Sequence, residues 1–349
     1  MSKHSKKAQV EVSFNWVFVL IAGAAILFFF IRVITSETDI QQDANLNRAV
    51  NRMNTVLTAL QQNPDSVSMQ PRISYEIEFT CTIEGQAYGI KGSSATQSLP
   101  HQLVFAPETV GDSRLITWVR RFDTPYPVSS MLYLTDEETK YVFIKDHDTN
   151  RRIEHFYNLF PGNISKAYME LDDFKEIEYE GYRKYVIVIT NNNELIEGDY
   201  GFTDRRVKSR IKYVMALSEL NDELIFYELK EHSNILDLDN PETRGIFTEE
   251  SIIGAIITGD PFLYECTMNK ALEHTRITTA INIDRIRYLH EEYPQGHNCK
   301  DFYAQPSRNH FENLKQAAIN KEYSNLNDNS DTIRTLNNQI IRSGCVPIY

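Results

Sequence analysis

Residues 12–31 form an unbroken stretch of twenty uncharged, mostly apolar positions, closed by Glu11 on one side and Arg32 on the other. At about 1.5 Å rise per residue such a stretch makes a helix of roughly 30 Å, the thickness of a bilayer's hydrocarbon core. A helix in a globular core rarely stays apolar on every face for that length. Lys3, Lys6 and Lys7 precede it, and Glu37, Asp39 and Asp43 follow it. The positive-inside rule therefore puts residues 1–11 in the cytoplasm, makes 12–31 a single-pass transmembrane helix, and sends everything after residue 36 outside. A cleaved secretory signal fits less well. Its apolar region runs about 7–15 residues and ends in a small-x-small site, whereas here the run ends in Phe28, Phe29, Phe30, Ile31 and Arg32.

The charge balance narrows the partners. Residues 1–36 carry four cations against Glu11, a net of +3, which leaves −15 on the rest of a chain whose total is −12. So acidic a surface repels phosphate backbones, and with no basic stripe to offset it nucleic acid is not an expected partner. The expected partner of residues 12–31 is the lipid bilayer itself.

The sequence Lys6-Lys7-Ala8-Gln9-Val10-Glu11 sets two lysines and a small residue ahead of the apolar run. It resembles the class III signal of type IV pilin-like proteins, and the wording from Gln9 through Phe30 resembles a family of archaeal membrane proteins. The resemblance covers about the first 35 residues. It implies a prepilin peptidase as partner, a cut between Ala8 and Gln9, and assembly through the N-terminal helix. Two departures stand out: Glu11 becomes the third mature residue rather than the fifth, and Ala8 stands where glycine is usual.

From Glu37 to Gln62 there is neither Gly nor Pro, and Asn63-Pro64-Asp65 ends the run. Leu46, Val50, Met53, Leu57 and Leu60 fall at helical spacing on one seam. The spacing predicts a stalk helix over 32–63, docked on its own domain. The fold class expected is α+β: a long transmembrane-plus-stalk helix, a β-rich subdomain over 72–146, an α/β subdomain over 147–258 and a helical, disulfide-bonded subdomain over 259–349. Within these, residues 73–84 alternate apolar and polar as a half-buried strand does. The run 175–190 ends in the continuously apolar Tyr185–Ile189, as in a strand covered on both faces. Residues 150–159 and 165–173 read as helices, 205–217 and 249–258 as ambiguous. Asp260-Pro261 reads as an N-cap and first position opening a helix to about Glu292. Two further helices are expected at Ser307–Asn320 and Ser330–Ser343.

Four cysteines, Cys81, Cys266, Cys299 and Cys345, in an extracytoplasmic domain point to two disulfides. If the last two helices run back in series along the long one, Cys345 meets Cys266 and Cys299 is left for Cys81. If they form a hairpin, Cys345 meets Cys299. The first arrangement is preferred. His290, His297, Cys299 and His310 lie near one another in sequence but fit no zinc spacing.

No nucleotide-binding, zinc-protease or nucleophile-elbow motif occurs, so no catalytic residue, metal ligand or cofactor is expected. Asp237–Glu242 resembles a calcium loop without its glycine and glutamate, Thr258–Pro261 reads as helix capping, and Asp146-His147-Asp148 reads as a polar loop. Asn163 heads the one Asn-x-Ser/Thr sequon, a possible glycosylation site. The expected function is structural or interactive: a pilin-like subunit of a surface or membrane assembly, or an adhesin. The rivals are a membrane-anchored extracytoplasmic hydrolase and a ligand-binding head.

Overall fold

The computed structural model describes residues 21, 28, 46–82, 85–145, 151–218, 223–230 and 235–349. The first continuous element is helix α1, 46–61. Its seam residues Leu46, Val50, Met53, Leu57 and Leu60 pack on a cluster built from Ile77, Phe79, Tyr88, Val104, Leu115 and Leu132. Polar clamps fix the same contact: Tyr88 Oη donates to Val50 O (3.0 Å), and Gln102 Nε2 to Thr58 Oγ1 (2.8 Å).

Three sheets follow. β1 (Val67–Arg72), β7 (Arg114–Asp123), β8 (Pro127–Asp136) and β5 (Leu103–Phe105) form one, in the order β1-β7-β8-β5. A second has the order β4-β3-β2-β6, from β2 (Glu76–Thr82), β3 (Gly85–Ile90), β4 (Thr96–Ser98) and β6 (Thr109–Gly111). Alternation along β7 explains how the layers stack. Leu115 and Val119 face α1 and the second sheet, while Ile116, Trp118 and Phe122 face the main core.

The third sheet begins when the chain turns out of β8 into β9 (Thr139–Ile144). It also takes β10 (Lys166–Met169), β11 (Lys184–Thr190), β12 (Ile211–Leu217), β13 (Glu223–Glu228) and β14 (Glu242–Gly245), in the order β10-β9-β11-β12-β13-β14. β10, β9, β11 and β12 pair in parallel; β13 pairs antiparallel with both β12 and β14. Helix α2 (Arg151–Leu159) covers the inner face through Ile153 and Phe156. The outer face carries α3 (Leu171–Lys175), α4 (Asn193–Ile196) and α5 (Arg205–Lys208), with Phe174, Leu195 and Val207 buried there. Both faces of β11 are thus covered, which its unbroken Tyr185–Ile189 run requires.

Helix α6 (Glu249–Thr258) lies in the main core with Phe105, Trp118 and Tyr133 of the first sheet and Val188 and Met215 of the third. Every residue from Ser251 to Thr258 is buried. Its start is a capping box between Thr248 and Ser251, and its end is Gly259 in the left-handed conformation at φ 58°. Gly254 has a specific reason to lack a side chain, since a Cβ there would stand 2.7 Å from the Phe105 ring. That ring is held between Tyr133 and Tyr264, at centroid distances of 5.7 and 6.0 Å. Alanine would add about 1 kcal/mol of helix propensity, but overpacking a rigid ring costs about 1–3 kcal/mol. Gly254→Ala is therefore expected to lower the denaturant midpoint, and a raised midpoint would show that the ring can yield.

Helix α7 (Pro261–Glu292) opens with Asp260 as N-cap, its Oδ1 accepting from Phe262 N and Leu263 N. After α8 (Asn298–Phe302), α9 (Gln305–Asn320) packs back on α7, and α10 (Tyr323–Arg342) packs on α9. That hairpin decides the cross-links. The chain leaving α10 returns to α8, so Cys299 bonds Cys345, and Cys266 near the start of α7 bonds Cys81 of β2. The preferred pairing of Cys266 with Cys345 and Cys81 with Cys299 is corrected accordingly. Both bonds belong to an oxidising environment.

Two expectations need further correction. The fold is α+β, but among the described residues no helix is long and apolar enough to cross a membrane. The longest, α7, interleaves Lys270, Glu273, Arg276, Asp284 and Arg285 with its apolar positions and is buried along one side against the core, so its length serves packing. The apolar run 12–31 lies outside the described residues apart from Ile21 and Phe28, which are helical and exposed. Residues 165–173 are not one helix. Lys166–Met169 pair in parallel with Tyr141–Ile144 as β10, and the helix α3 starts only at Leu171.

Candidate functional site

A highly charged cleft lies where the N-terminal ends of β9, β11 and β12 meet the edge of the β2–β6 pair. Its volume is about 480 Å³. Glu76, Glu108 and Asp136 line it, together with Arg183, Lys184, Arg210 and Lys212.

Arg183 organises the acidic side. Its Nη1 stands 2.9 Å from Glu76 Oε1 and its Nη2 3.0 Å from Asp136 Oδ2. It also donates to Gly111 O and pairs with Glu138. Asp136 is only 2% exposed, and it additionally accepts from Glu138 N and Thr139 Oγ1. The lysines hold the elbow between α6 and α7. Lys212 Nζ lies 2.7 Å from Asp260 Oδ2 and 3.4 Å from Glu108 Oε2. Burial opposes its charge, but the two carboxylates keep its pKa above the ordinary lysine value. Asp260 is also buried, yet Lys212 and the α7 amides hold its carboxyl below the ordinary range. Lys184 Nζ lies 3.4 Å from Thr258 O, at the carbonyl end of α6. Burial pushes its pKa down to about 8, with Asp260 offsetting the effect in part and Lys212 adding to it.

A second depression of about 310 Å³ lies between α2 and α6. His155 Nε2 is 2.6 Å from Glu249 Oε2, and Arg120 Nη1 is 2.9 Å from Glu249 Oε1. A histidine oriented by a carboxylate is half of a nucleophile-activating arrangement. The hydroxyls beside it are committed elsewhere: Ser251 Oγ donates to Thr248 O, and Thr248 Oγ1 accepts from Ser251 N.

The residues singled out in the sequence do not converge. Cys81, Cys266, Cys299 and Cys345 are all in disulfides. His297 caps α8, its Nδ1 accepting from Cys299 N (3.2 Å), while His290 contacts Lys300 O and His310 lines a groove between α9 and α10. Among the described residues no group of His, Cys, Asp and Glu could hold a metal ion. Asp237 accepts from Asp239 N and Asn240 Nδ2 in its own turn, 3.4 Å from Lys230. Asn163 stands exposed in the turn before β10. Ala8, Gln9, Glu11 and Asp146–Asp148 lie outside the described residues. No sequence motif marks the lysine cleft; its one local signal is Arg183-Lys184 directly ahead of the apolar Tyr185–Ile189 run.

The titrations give a checkable pH profile. Burial lowers the pKa of Lys184 and of Lys270 to about 8. Between pH 8 and 10.5 these amines bind fewer protons in the folded chain than in the unfolded one, so stability rises with pH across that window. Buried phenols act in the opposite sense. Burial raises Tyr126, Tyr133, Tyr141, Tyr200 and Tyr264, and it pushes Tyr303, Tyr323 and Tyr349 up to about 12. The folded chain keeps those protons above pH 10, where the unfolded chain loses them, and stability falls. Thermal midpoints are expected to climb from pH 8, peak near 10 and drop steeply beyond; a monotonic decline from pH 8 would refute the lysine part.

No protein-family model, no curated protein and no solved structure matches this chain.

Proposed function

We propose that the chain is an extracytoplasmic structural or interaction protein, held at a membrane through residues 12–31 and serving as a subunit of a surface or membrane assembly or as an adhesin. The carrying observation is covalent: all four cysteines are paired in two disulfides, which persist in oxidising compartments. The uncharged stretch behind the basic N-terminal residues supports lipid attachment. The Lys6–Glu11 sequence supports processing by a prepilin peptidase between Ala8 and Gln9. Docking of the α1 seam on the sheets fixes residues 46–61 to the head.

Two measurements on the full-length chain from its native membrane test this reading. Differential alkylation before and after reduction should find all four thiols protected until reductant is added, and free thiols in the native sample would overturn the extracytoplasmic placement. Mass spectrometry should find a mature N-terminus at Gln9. A start at Met1 or Ser2 would remove the pilin-like part.

A further inference from the structure

The charged cleft holds two cations that its own carboxylates do not pair. Glu76 and Asp136 are engaged by Arg183, and Glu108 and Asp260 by Lys212. Among the described residues, neither Lys184 nor Arg210 contacts a carboxylate. Lys184 Nζ has the 3.4 Å approach to Thr258 O. Arg210 Nη1 donates to Arg183 O (3.2 Å), and its guanidinium lies over the Tyr179 ring at 5.2 Å. An ammonium carries three donors and a guanidinium five, so most of their hydrogen-bonding capacity is unused. Capping α6 requires only one N–H of Lys184.

We propose that this cleft binds a small ligand through an oxyanion group, a carboxylate or a phosphate, with Lys184 as the central cation and Arg210 as the planar fork beside it. The volume of about 480 Å³ suits a small molecule. Glu76 and Glu108 line the cleft beside these cations, each already paired by Arg183 or Lys212, so the charge left for a ligand is that of Lys184 and Arg210. Arg210 offers the bidentate geometry that carboxylates and phosphates share. Burial lowers the pKa of the Lys184 amine, and an anion bound beside it would favour its charged form. The site is independent of how the chain is anchored, so it stands or falls apart from the proposed function.

The test uses the full-length chain in detergent at pH 8, with inorganic phosphate and acetate as separate probes and chloride at matched ionic strength as reference. Trace acetylation of lysines, read by peptide mass spectrometry, should show Lys184 protected by at least one probe while exposed lysines away from the cleft such as Lys321 stay unchanged. The same probe should raise the thermal midpoint over chloride, and Lys184→Met should abolish that rise. Protection by phosphate alone or by acetate alone identifies the group and supports the site. Equal Lys184 labelling in all three salts overturns the proposal on the unmodified chain. A midpoint rise that survives Lys184→Met places the anion elsewhere and overturns it as well.

Discussion

Replacing Cys81 and Cys266 together by serine is expected to destabilise the fold more than replacing Cys299 and Cys345 together. The first bond closes a sequence separation of 185 residues, the second one of 46. Chain-entropy arguments make the longer closure worth about 5 kcal/mol and the shorter about 4, before any change in the native state. The native contact at the longer bond has its own support. Lys270, one turn further along α7, donates to Gln86 Oε1, Leu99 O and Gln102 O at 2.9, 2.9 and 2.6 Å. Serine variants should therefore keep the α7–β2 junction folded, and the loss should be expressed mainly through a freer unfolded chain. Guanidinium titration of the two double variants checks the ranking. A larger loss from the Cys299–Cys345 pair would show that local packing, not loop closure, governs these cross-links.

Arg183→Met is the second large effect, expected to cost about 3–5 kcal/mol, the range for removing one partner of a buried ion pair. The methionine fills much of the same volume, but it strands Asp136 with its carboxylate out of water and leaves Glu76 and Glu138 facing it. An asparagine at 136 would keep one oxygen to accept from Glu138 N and Thr139 Oγ1, losing only the 3.3 Å bond from Gly111 N to the other oxygen, and it would carry no stranded charge. Adding Asp136→Asn to Arg183→Met should consequently recover part of the loss. If Arg183→Met alone moves the unfolding free energy by less than about 1 kcal/mol, the range for exposed pairs, the network counts as a surface feature rather than a buried one.

Local pattern carried some elements a long way. The alternation over 73–84 becomes β2, the continuous apolar run 185–189 becomes a strand covered on both faces, and Asp260-Pro261 caps α7. Each of these depends on neighbours a few residues away. What escaped depends on contacts between distant segments. Lys166–Met169 contains good helix formers, and only the vacant parallel edge of β9 makes it a strand. Disulfide partners follow from whether α9 and α10 turn back on themselves, which no cysteine spacing records. The cleft draws on β2, β6, β8, β9, β11 and β12 together with three loops, so its residues run from Glu76 to Lys212 without a local motif.

The bond between Cys81 and Cys266 also has a mechanical meaning. Extended chain spans at most about 3.5 Å per residue, so the segment it closes, 185 residues, represents some 600 Å of length that tension cannot draw out while the bond is intact. A load entering through α1 and leaving beyond the start of α7 crosses from β2 to α7 through two sulfur atoms and bypasses the third sheet and the cleft residues from Glu108 to Lys212. The oxidised chain would then lengthen only in the segments outside that closure. The bond thus sets how far the molecule can stretch, apart from how stably it folds.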